Sequence, residues 1–170
     1  MRSTRCLRAA SRVTAPPEGS VPPSGAQAHY RALESLYRAA PINRLFASRL
    51  EIVSEGITRI HFTVDPSMFH AAGAAHGTIY FKMLDDAAFY AANSLVSDRF
   101  LLTTAFNLLL TRPLPAGAVI AEGRWVSGRR RVFVADARLI AADGEEAARG
   151  TGTFMRSRTP LALLPGYRTP

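Results

Sequence analysis

HGTIYFKMLDDAAFYAANS, residues 76–94, combines a glycine-containing turn with a helical segment that is apolar on almost every side. A helix of that kind is normally buried. Asp85 and Asp86 lie in its middle, and a buried carboxylate is costly unless it is paired, hydrogen-bonded or protonated. We therefore expect this helix to lie at the centre of the fold. Its two carboxylates are the first candidates for chemistry.

Segments of alternating apolar and polar residues flank this helix on both sides of the sequence. Two precede it, 50–54 and 57–64, and they form a predicted hairpin that turns at Glu55-Gly56. Four more follow it, at 101–110, 119–127, 131–141 and 146–155.

Turn-forming residues separate the last four strands, as hairpins require: Gly117, Gly128 and Asp143-Gly144. A short helix over 28–39, ended by Pro41, precedes the first strand. This order predicts an α+β fold in which an antiparallel sheet wraps around one long central helix, with a short N-terminal helix beside it.

The composition is that of an ordinary globular chain, with 48% hydrophobic and 20% charged residues in 170. No apolar run approaches the roughly 18 residues of a membrane span, so no membrane association is expected. The net charge of +8 attracts acidic ligands without selecting among them. No recognisable nucleic-acid-binding module accompanies it, so nucleic acid is not an expected partner. The single cysteine, Cys6, cannot form an internal disulfide, and we expect a cytoplasmic protein.

The chain divides into three predicted parts. Residues 1–28 are rich in proline and small polar residues and are interpreted as a disordered or targeting-like segment. Four arginines without an acid in the first 17 residues are also typical of an organellar transit peptide, so organellar targeting stays open beside a dispensable tail. Residues 29–158 form the predicted domain, and 159–170 a C-terminal tail.

Four sequence features resemble one known family: His76-Gly77, Asp85 nine residues after that histidine, Asn93-Ser94, and the strand 102–107 with its Thr111-Arg112-Pro113 exit. The family is the PaaI-like acyl-CoA thioesterases of the hotdog fold superfamily, and the resemblance spans residues 45–156. The chain departs from the family pattern at two positions. Thr78 replaces the second glycine of the turn, and His70 stands where relatives often have asparagine.

The resemblance implies hydrolysis of acyl-CoA thioesters without a cofactor or a metal. Asp85 would act as nucleophile or general base, and Thr103 would hold the attacking water. The amides of Gly77 and Thr78 at the helix N-terminus would form an oxyanion hole, with His76 orienting the carbonyl. In relatives, dimerisation brings the turn of one subunit close to the carboxylate of the other. The resemblance therefore implies a homodimer or homotetramer with active sites at the subunit interface.

Substrate binding is assigned to five residues: Thr78, His70, Asn93, Arg130 and Arg131. Arginine binds phosphate bidentately, which suits the phosphates of CoA, but a solvated turn explains this arginine cluster equally well.

Simpler interpretations exist for several of these residues. Asp85 or Asp86 could pair with Lys82 as a structural ion pair, which we favour for Asp86, and His76 could cap the helix. At the level of function, the alternatives are a non-catalytic acyl-CoA-binding protein and an acyl-thioester dehydratase or hydratase.

Overall fold

The computed structural model describes residues 24–168, in which two α-helices and six strands form one α+β unit. The helices are α1 (Ser24–Ala39) and α2 (Gly77–Asn93). The strands are β1 (Arg49–Ser54), β2 (Ile57–Val64), β3 (Arg99–Leu110), β4 (Gly117–Ser127), β5 (Val132–Ile140) and β6 (Glu146–Pro160). A short 3-10 helix, Pro41–Arg44, links α1 to β1.

The six strands form a single antiparallel sheet in the order β1-β2-β4-β5-β6-β3. Strands β1 and β3 are therefore the two edges, and α2 packs against the sheet from β1 to β6. The predicted fold class is confirmed, and so is the hairpin at Glu55-Gly56, where Gly56 adopts a φ of +77°. No helix in residues 24–168 is long and apolar enough to cross a membrane.

The close approach of α2 to the sheet depends on small residues. Ala87, Ala88 and Ala91 have no exposed surface. A Cβ at Gly123 in β4 would lie only 2.1 Å from the carbonyl oxygen of Ala87. Thr58 in β2 donates its hydroxyl to that same oxygen at 2.7 Å. Glycine at 123 thus lets the helix lie directly on the strands, which fixes the height of every α2 side chain above the sheet.

The structure departs from the predicted boundaries at both ends. Helix α1 begins at Ser24 rather than at 28, so residues 24–28 belong to it, while residues 1–23 of the predicted N-terminal segment lie outside the described residues. Strand β6 continues to Pro160, which pairs with Arg99. Part of the segment predicted as a tail packs against the domain: Leu161 is fully buried, and the Tyr167 hydroxyl lies 2.7 Å from His29 Nδ1.

Candidate active site

Asp85 and Thr103 meet where α2 crosses the edge strand β3. The Thr103 hydroxyl donates to Asp85 Oδ1 at 3.0 Å. The pairing of β3 with β6 shifts register between Thr103 and Ala105, and such a bulge changes which way the following side chains point. The predicted pairing of these two residues in one site is thus present in the geometry of a single chain.

Asp85 has an unusual protonation equilibrium for a carboxyl group. Burial raises its pKa to about 6, with a further rise from the nearby charge of Asp86. The hydrogen bond from Thr103 and the charge of Lys82 oppose that rise. A carboxylate that ionises near neutral pH is a better proton acceptor than an ordinary aspartate and is still charged at pH 7.

Asp86 has a different environment, although it is the next residue. Its carboxylate pairs with Lys82, one helical turn earlier. The Lys82 ammonium also donates to the side-chain oxygen of Asn43 at 2.7 Å. Burial raises the pKa of Asp86, and the contact with Lys82 lowers it. The structural ion pair that we favoured for Asp86 is therefore present, while the nearest partner of Asp85 is Thr103.

His76 caps the N-terminus of α2. Its Nδ1 accepts the backbone N–H of Thr78 at 3.2 Å and lies 3.0 Å from the Thr78 hydroxyl. The Thr78 amide, predicted as an oxyanion donor, is thus occupied in this state. The Gly77 amide has no acceptor within the described residues, and a Cβ at Gly77 would contact only Leu110, at 3.8 Å. One predicted donor therefore remains open at an uncrowded helix N-terminus.

Asn93 is completely buried and fixes the end of α2. Its side-chain amide donates to the carbonyl oxygens of Val96 and Arg99, and its side-chain oxygen accepts the N–H of Leu101 at 3.0 Å. A side chain with no exposed surface and fully used polar atoms cannot contact a ligand. The predicted substrate contact of Asn93 is corrected to a structural role, holding the helix against the start of β3.

The other predicted binding residues are exposed. His70 Nδ1 accepts the N–H of Ala72 at 3.0 Å within the loop before α2. Arg130 and Arg131 occupy the β4–β5 turn and form no ion pair within residues 24–168, whereas their neighbour Arg129 pairs with Glu55 at 3.2 Å. Phosphate binding by Arg130 and Arg131 stays a prediction.

Gly77 and Asp85 are too far apart to serve one carbonyl group within the same chain. They are eight residues apart in α2, which corresponds to about 12 Å along the helix axis. Each lies beside a different part of β3, Gly77 next to Leu110 and Asp85 next to Thr103. A single chain therefore presents two halves of the predicted site at two places along one edge strand.

Sequence reasoning missed an apolar surface at this edge. Its large exposed side chains are Phe81, Leu102, Leu109 and Leu110, with exposed fractions between 43% and 56%. Phe81 packs edge-on against Phe106, with ring centroids 5.7 Å apart. The available signal was the run Leu108-Leu109-Leu110, where apolar residues occupy both faces of a strand instead of alternating.

Asp85 lines neither of two concavities in the described chain. A cavity of about 680 Å³ lies elsewhere, across β2 to β6, and is lined by charges of both signs, among them Arg59, Glu122 and Arg138. Within residues 24–168, no group of three His, Cys, Asp or Glu side chains is placed to hold a metal ion.

Comparisons with known proteins agree with this architecture. The family model of the thioesterase superfamily matches residues 72–148, which include α2, β3, β4, β5 and the start of β6. The chain has the hotdog fold of the thioesterase superfamily. The predicted resemblance is confirmed at that level. No curated protein sequence matches the chain.

Solved structures with the same fold are similar over most of their length. The PaaI protein of E. coli, from the phenylacetic acid degradation operon, has 19% identity and a TM-score of 0.73, covering 79% of this chain and 97% of its own. A thioesterase family protein of Silicibacter pomeroyi has 25% identity and a TM-score of 0.66, with coverage of 74% and 97%. A thioesterase of Haemophilus influenzae has 15% identity and a TM-score of 0.66, with coverage of 74% and 87%.

Proposed function

We propose that this protein hydrolyses acyl-CoA thioesters as a homodimer. In each site, Asp85 of one subunit and the Gly77 amide of the partner subunit act on the same thioester. The observation that carries this is the contact of Asp85 with Thr103 at an exposed apolar edge strand, where burial raises the pKa of the Asp85 carboxyl to about 6. The superfamily match supports thioester hydrolysis as the type of reaction.

Strand β3 is the proposed dimer interface because it is a long edge that nothing covers in residues 24–168. It has 12 residues, pairs only with β6, and exposes three leucines. Such an edge normally pairs with another strand or is protected. A two-fold symmetric contact between two copies of β3 would satisfy its free backbone groups and bury its apolar side chains.

The register of that contact follows from the two halves of the site. In a two-fold antiparallel pair of β3 strands centred on Asn107, Asn107 lies opposite Asn107 of the partner subunit, and the bulge at Thr103–Ala105 brings Thr103 opposite Leu110 of the partner subunit. Asp85 contacts Thr103, and the partner subunit's Gly77 lies beside the partner's Leu110. Cross-strand neighbours point to the same face of a sheet. This register therefore brings the carboxylate and the free amide together.

The chemical steps follow from these two groups. Thr103 occupies one oxygen of Asp85, and the other accepts a proton from water as that water attacks the thioester carbonyl. The Gly77 amide of the partner subunit stabilises the oxyanion, an interaction typically worth about 3 kcal/mol of barrier. The tetrahedral intermediate then expels the CoA thiolate, which takes up the proton from Asp85. A direct attack by Asp85, through a mixed anhydride, is the alternative role of the same carboxylate.

The CoA moiety would extend over the protein surface, where the arginines of the β4–β5 turn offer ligands for its phosphates. Arg130 and Arg131 are exposed there and carry no carboxylate partner within the described chain. Guanidinium groups bind phosphate in a bidentate manner, so these two residues are the proposed CoA contacts.

The test is release of free CoA thiol from a panel of aryl- and fatty-acyl-CoAs. Asp85→Asn is compared with Asp86→Asn, a matched change at the adjacent residue. We expect Asp85→Asn to lose about 100-fold or more in kcat/KM, because it removes the proton acceptor. Asp86→Asn should lose stability through the unpaired Lys82 but keep activity within about tenfold at a temperature where it is folded.

Three outcomes would contradict the proposal. Full activity of a folded Asp85→Asn variant would exclude the carboxylate from the reaction. Binding of acyl-CoA by the wild type without thiol release would indicate a non-catalytic binding protein. Loss of the conjugated double bond of an enoyl-CoA, without thiol release, would instead indicate a hydratase.

A further inference from the structure

A second concavity lies at the opposite edge of the sheet from β3. It has a volume of about 440 Å³ and is bounded by the C-terminal part of α1, the 3-10 helix Pro41–Arg44 and the start of β1. Its lining includes neither Asp85 nor Thr103, although Asn43 in its wall contacts Lys82, the ion-pair partner of Asp86. Its size falls within the range of small-molecule sites.

Three arginines from three different elements line this cavity: Arg38, Arg44 and Arg49. None of them forms an ion pair within residues 24–168, although eight other arginines of that range do. The cavity also contains one acid, Glu34, whose two oxygens accept from Arg31 at 2.6 Å and from the N–H of Ile52 at 2.8 Å. The cavity therefore has an excess of positive charge that no described carboxylate neutralises.

The wall of the cavity is held in place by buried polar contacts. The Tyr37 and Ser48 hydroxyls are 2.6 Å apart. Asn43, which is buried, donates to the carbonyl oxygen of Tyr37 at 2.7 Å and accepts from Lys82. These contacts fix the polypeptide on either side of Arg44 and behind Arg49. A fixed frame reduces the entropy lost when the arginines bind a ligand.

The segment between Arg44 and Arg49 contains local backbone strain. Ala47 has a φ of +47°, the one positive value among non-glycine residues in the described chain. A left-handed conformation costs an L-residue roughly 1 to 2 kcal/mol. Strain of this kind persists where surrounding contacts impose it, and it concentrates at ligand-binding segments. Ala47 itself lines the cavity, between Arg44 and Arg49 in the sequence.

We propose that this cavity binds a phosphorylated ligand of about the size of a nucleoside diphosphate, with Arg38, Arg44 and Arg49 as its phosphate ligands. Planar guanidinium groups form paired hydrogen bonds to phosphate oxygens, and three of them match the charge of a diphosphate. The three arginines line one concavity rather than forming a stripe, which favours a compact anion over an extended polyanion.

The test is calorimetric titration of the full chain with ADP, with pyrophosphate and with CoA. Arg44→Gln and Arg49→Gln are compared with Arg158→Gln, an exposed arginine that does not line the cavity. We expect ADP to bind the wild type, and each cavity variant to weaken that binding about tenfold or more, the usual loss for a charge-assisted hydrogen bond. Arg158→Gln should bind within about twofold of the wild type, since it alters only general electrostatics.

The CoA titration distinguishes two sources of the same chemistry. If Arg44→Gln and Arg49→Gln also weaken CoA binding, the cavity takes the nucleotide of CoA; if they weaken only ADP binding, it takes a free nucleotide. The measurement needs no hydrolysis, so it can succeed even if the proposed thioesterase activity fails. Absence of ADP and pyrophosphate binding by folded wild type, or equal ADP binding by folded Arg44→Gln and Arg49→Gln, would overturn the proposal.

Discussion

The Thr103 hydroxyl donates a hydrogen bond of 3.0 Å to Asp85 Oδ1, and a bulge in β3 makes that contact possible. Side chains two residues apart share a face of a regular strand, so Thr103 and Leu110 would point to opposite faces without the bulge. The register shift between Thr103 and Ala105 places both towards α2. One inserted residue thus lines up the neighbours of Asp85 and Gly77 along the same edge.

The activity should depend on the ionisation of Asp85. Because burial raises its pKa to about 6, kcat/KM for an acyl-CoA should rise with pH through about 6 and level off above 7. The measurement is a pH profile of kcat/KM with the wild type between pH 4.5 and 8, with folding checked at each pH. A rate independent of pH across this range would exclude Asp85 as the titrating base.

Because of this raised pKa, ionised Asp85 lowers the free energy of unfolding at neutral pH. The folded pKa lies above the ordinary value of 3.8, so the folded state binds the proton more tightly than the unfolded state does. Its contribution therefore weakens the fold as pH rises from about 4 to 6. Asp85→Asn should have a free energy of unfolding higher by about 1 to 2 kcal/mol at pH 7. Urea unfolding at pH 4 and 7 checks this, and an equal difference at both pH values would contradict it.

Thr103 should lower the pKa of Asp85 rather than support the fold. Thr103→Val removes the hydrogen bond that lowers the pKa of Asp85, so the inflection of the pH profile should move upward and the rate at pH 7 should fall about tenfold. Thr104→Val is the matched control, since the Thr104 hydroxyl donates only to the carbonyl oxygen of Thr153. Equal pH profiles for Thr103→Val and the wild type would remove Thr103 from the site.

The dimer should depend on the apolar edge of β3. The double variant Leu102→Lys and Leu109→Lys places two charges in the proposed interface. In the single chain these leucines are 53% and 56% exposed. We expect this double variant to sediment as a monomer and to lose activity, because each site needs both subunits. Leu163→Lys, at a leucine that is 75% exposed outside β3, is the control. An active, dimeric double variant would place the interface elsewhere.

The contact of α2 with the sheet should tolerate no added atom at Gly123. A Cβ there would lie 2.1 Å from the Ala87 carbonyl oxygen, so Gly123→Ala must displace the helix or the strand. We expect a loss of about 3 kcal/mol or more in the free energy of unfolding. Gly25→Ala is the control, because a Cβ at Gly25 meets nothing within 4 Å. Chemical denaturation of both variants measures the difference, and equal stability would mean that the helix has room to shift.

The sequence is informative where local chemistry determines structure. The turn at Glu55-Gly56 and the start of α2 at Gly77 follow from turn glycines and apolar periodicity, and both are found at the predicted positions. The pairing of Asp86 with Lys82 follows from helical spacing.

Other features depend on contacts between distant segments, which no local pattern encodes. The bulge at Thr103–Ala105 arises from the pairing of β3 with β6, and the burial of Asn93 from the return of the chain at Leu101. The arginine-lined cavity lies within residues 34–50, but it forms only where α1, the 3-10 helix and β1 pack around one concavity, which the spacing of the arginines does not show.

In the proposed dimer, each active site combines Asp85 of one subunit with the Gly77 amide of the partner subunit. Two variants each remove one of these two groups. Asp85→Asn removes the base, and Gly77→Pro removes only the N–H, because proline suits the first position of a helix and His76 before it already has an extended backbone with ψ of 146°.

These two inactive proteins are mixed, their subunits are allowed to exchange, and thiol release is then measured. The result distinguishes a site shared between subunits from a site within one chain. Half of the dimers in an equal mixture are hybrids, and each hybrid has one intact site, so the mixture should recover about a quarter of the wild-type activity. If both groups acted within one chain, every site in the mixture would carry a defect. Thiol release that stays at the level of the separate variants after complete subunit exchange would show that Asp85 and Gly77 do not form one site across the subunit interface.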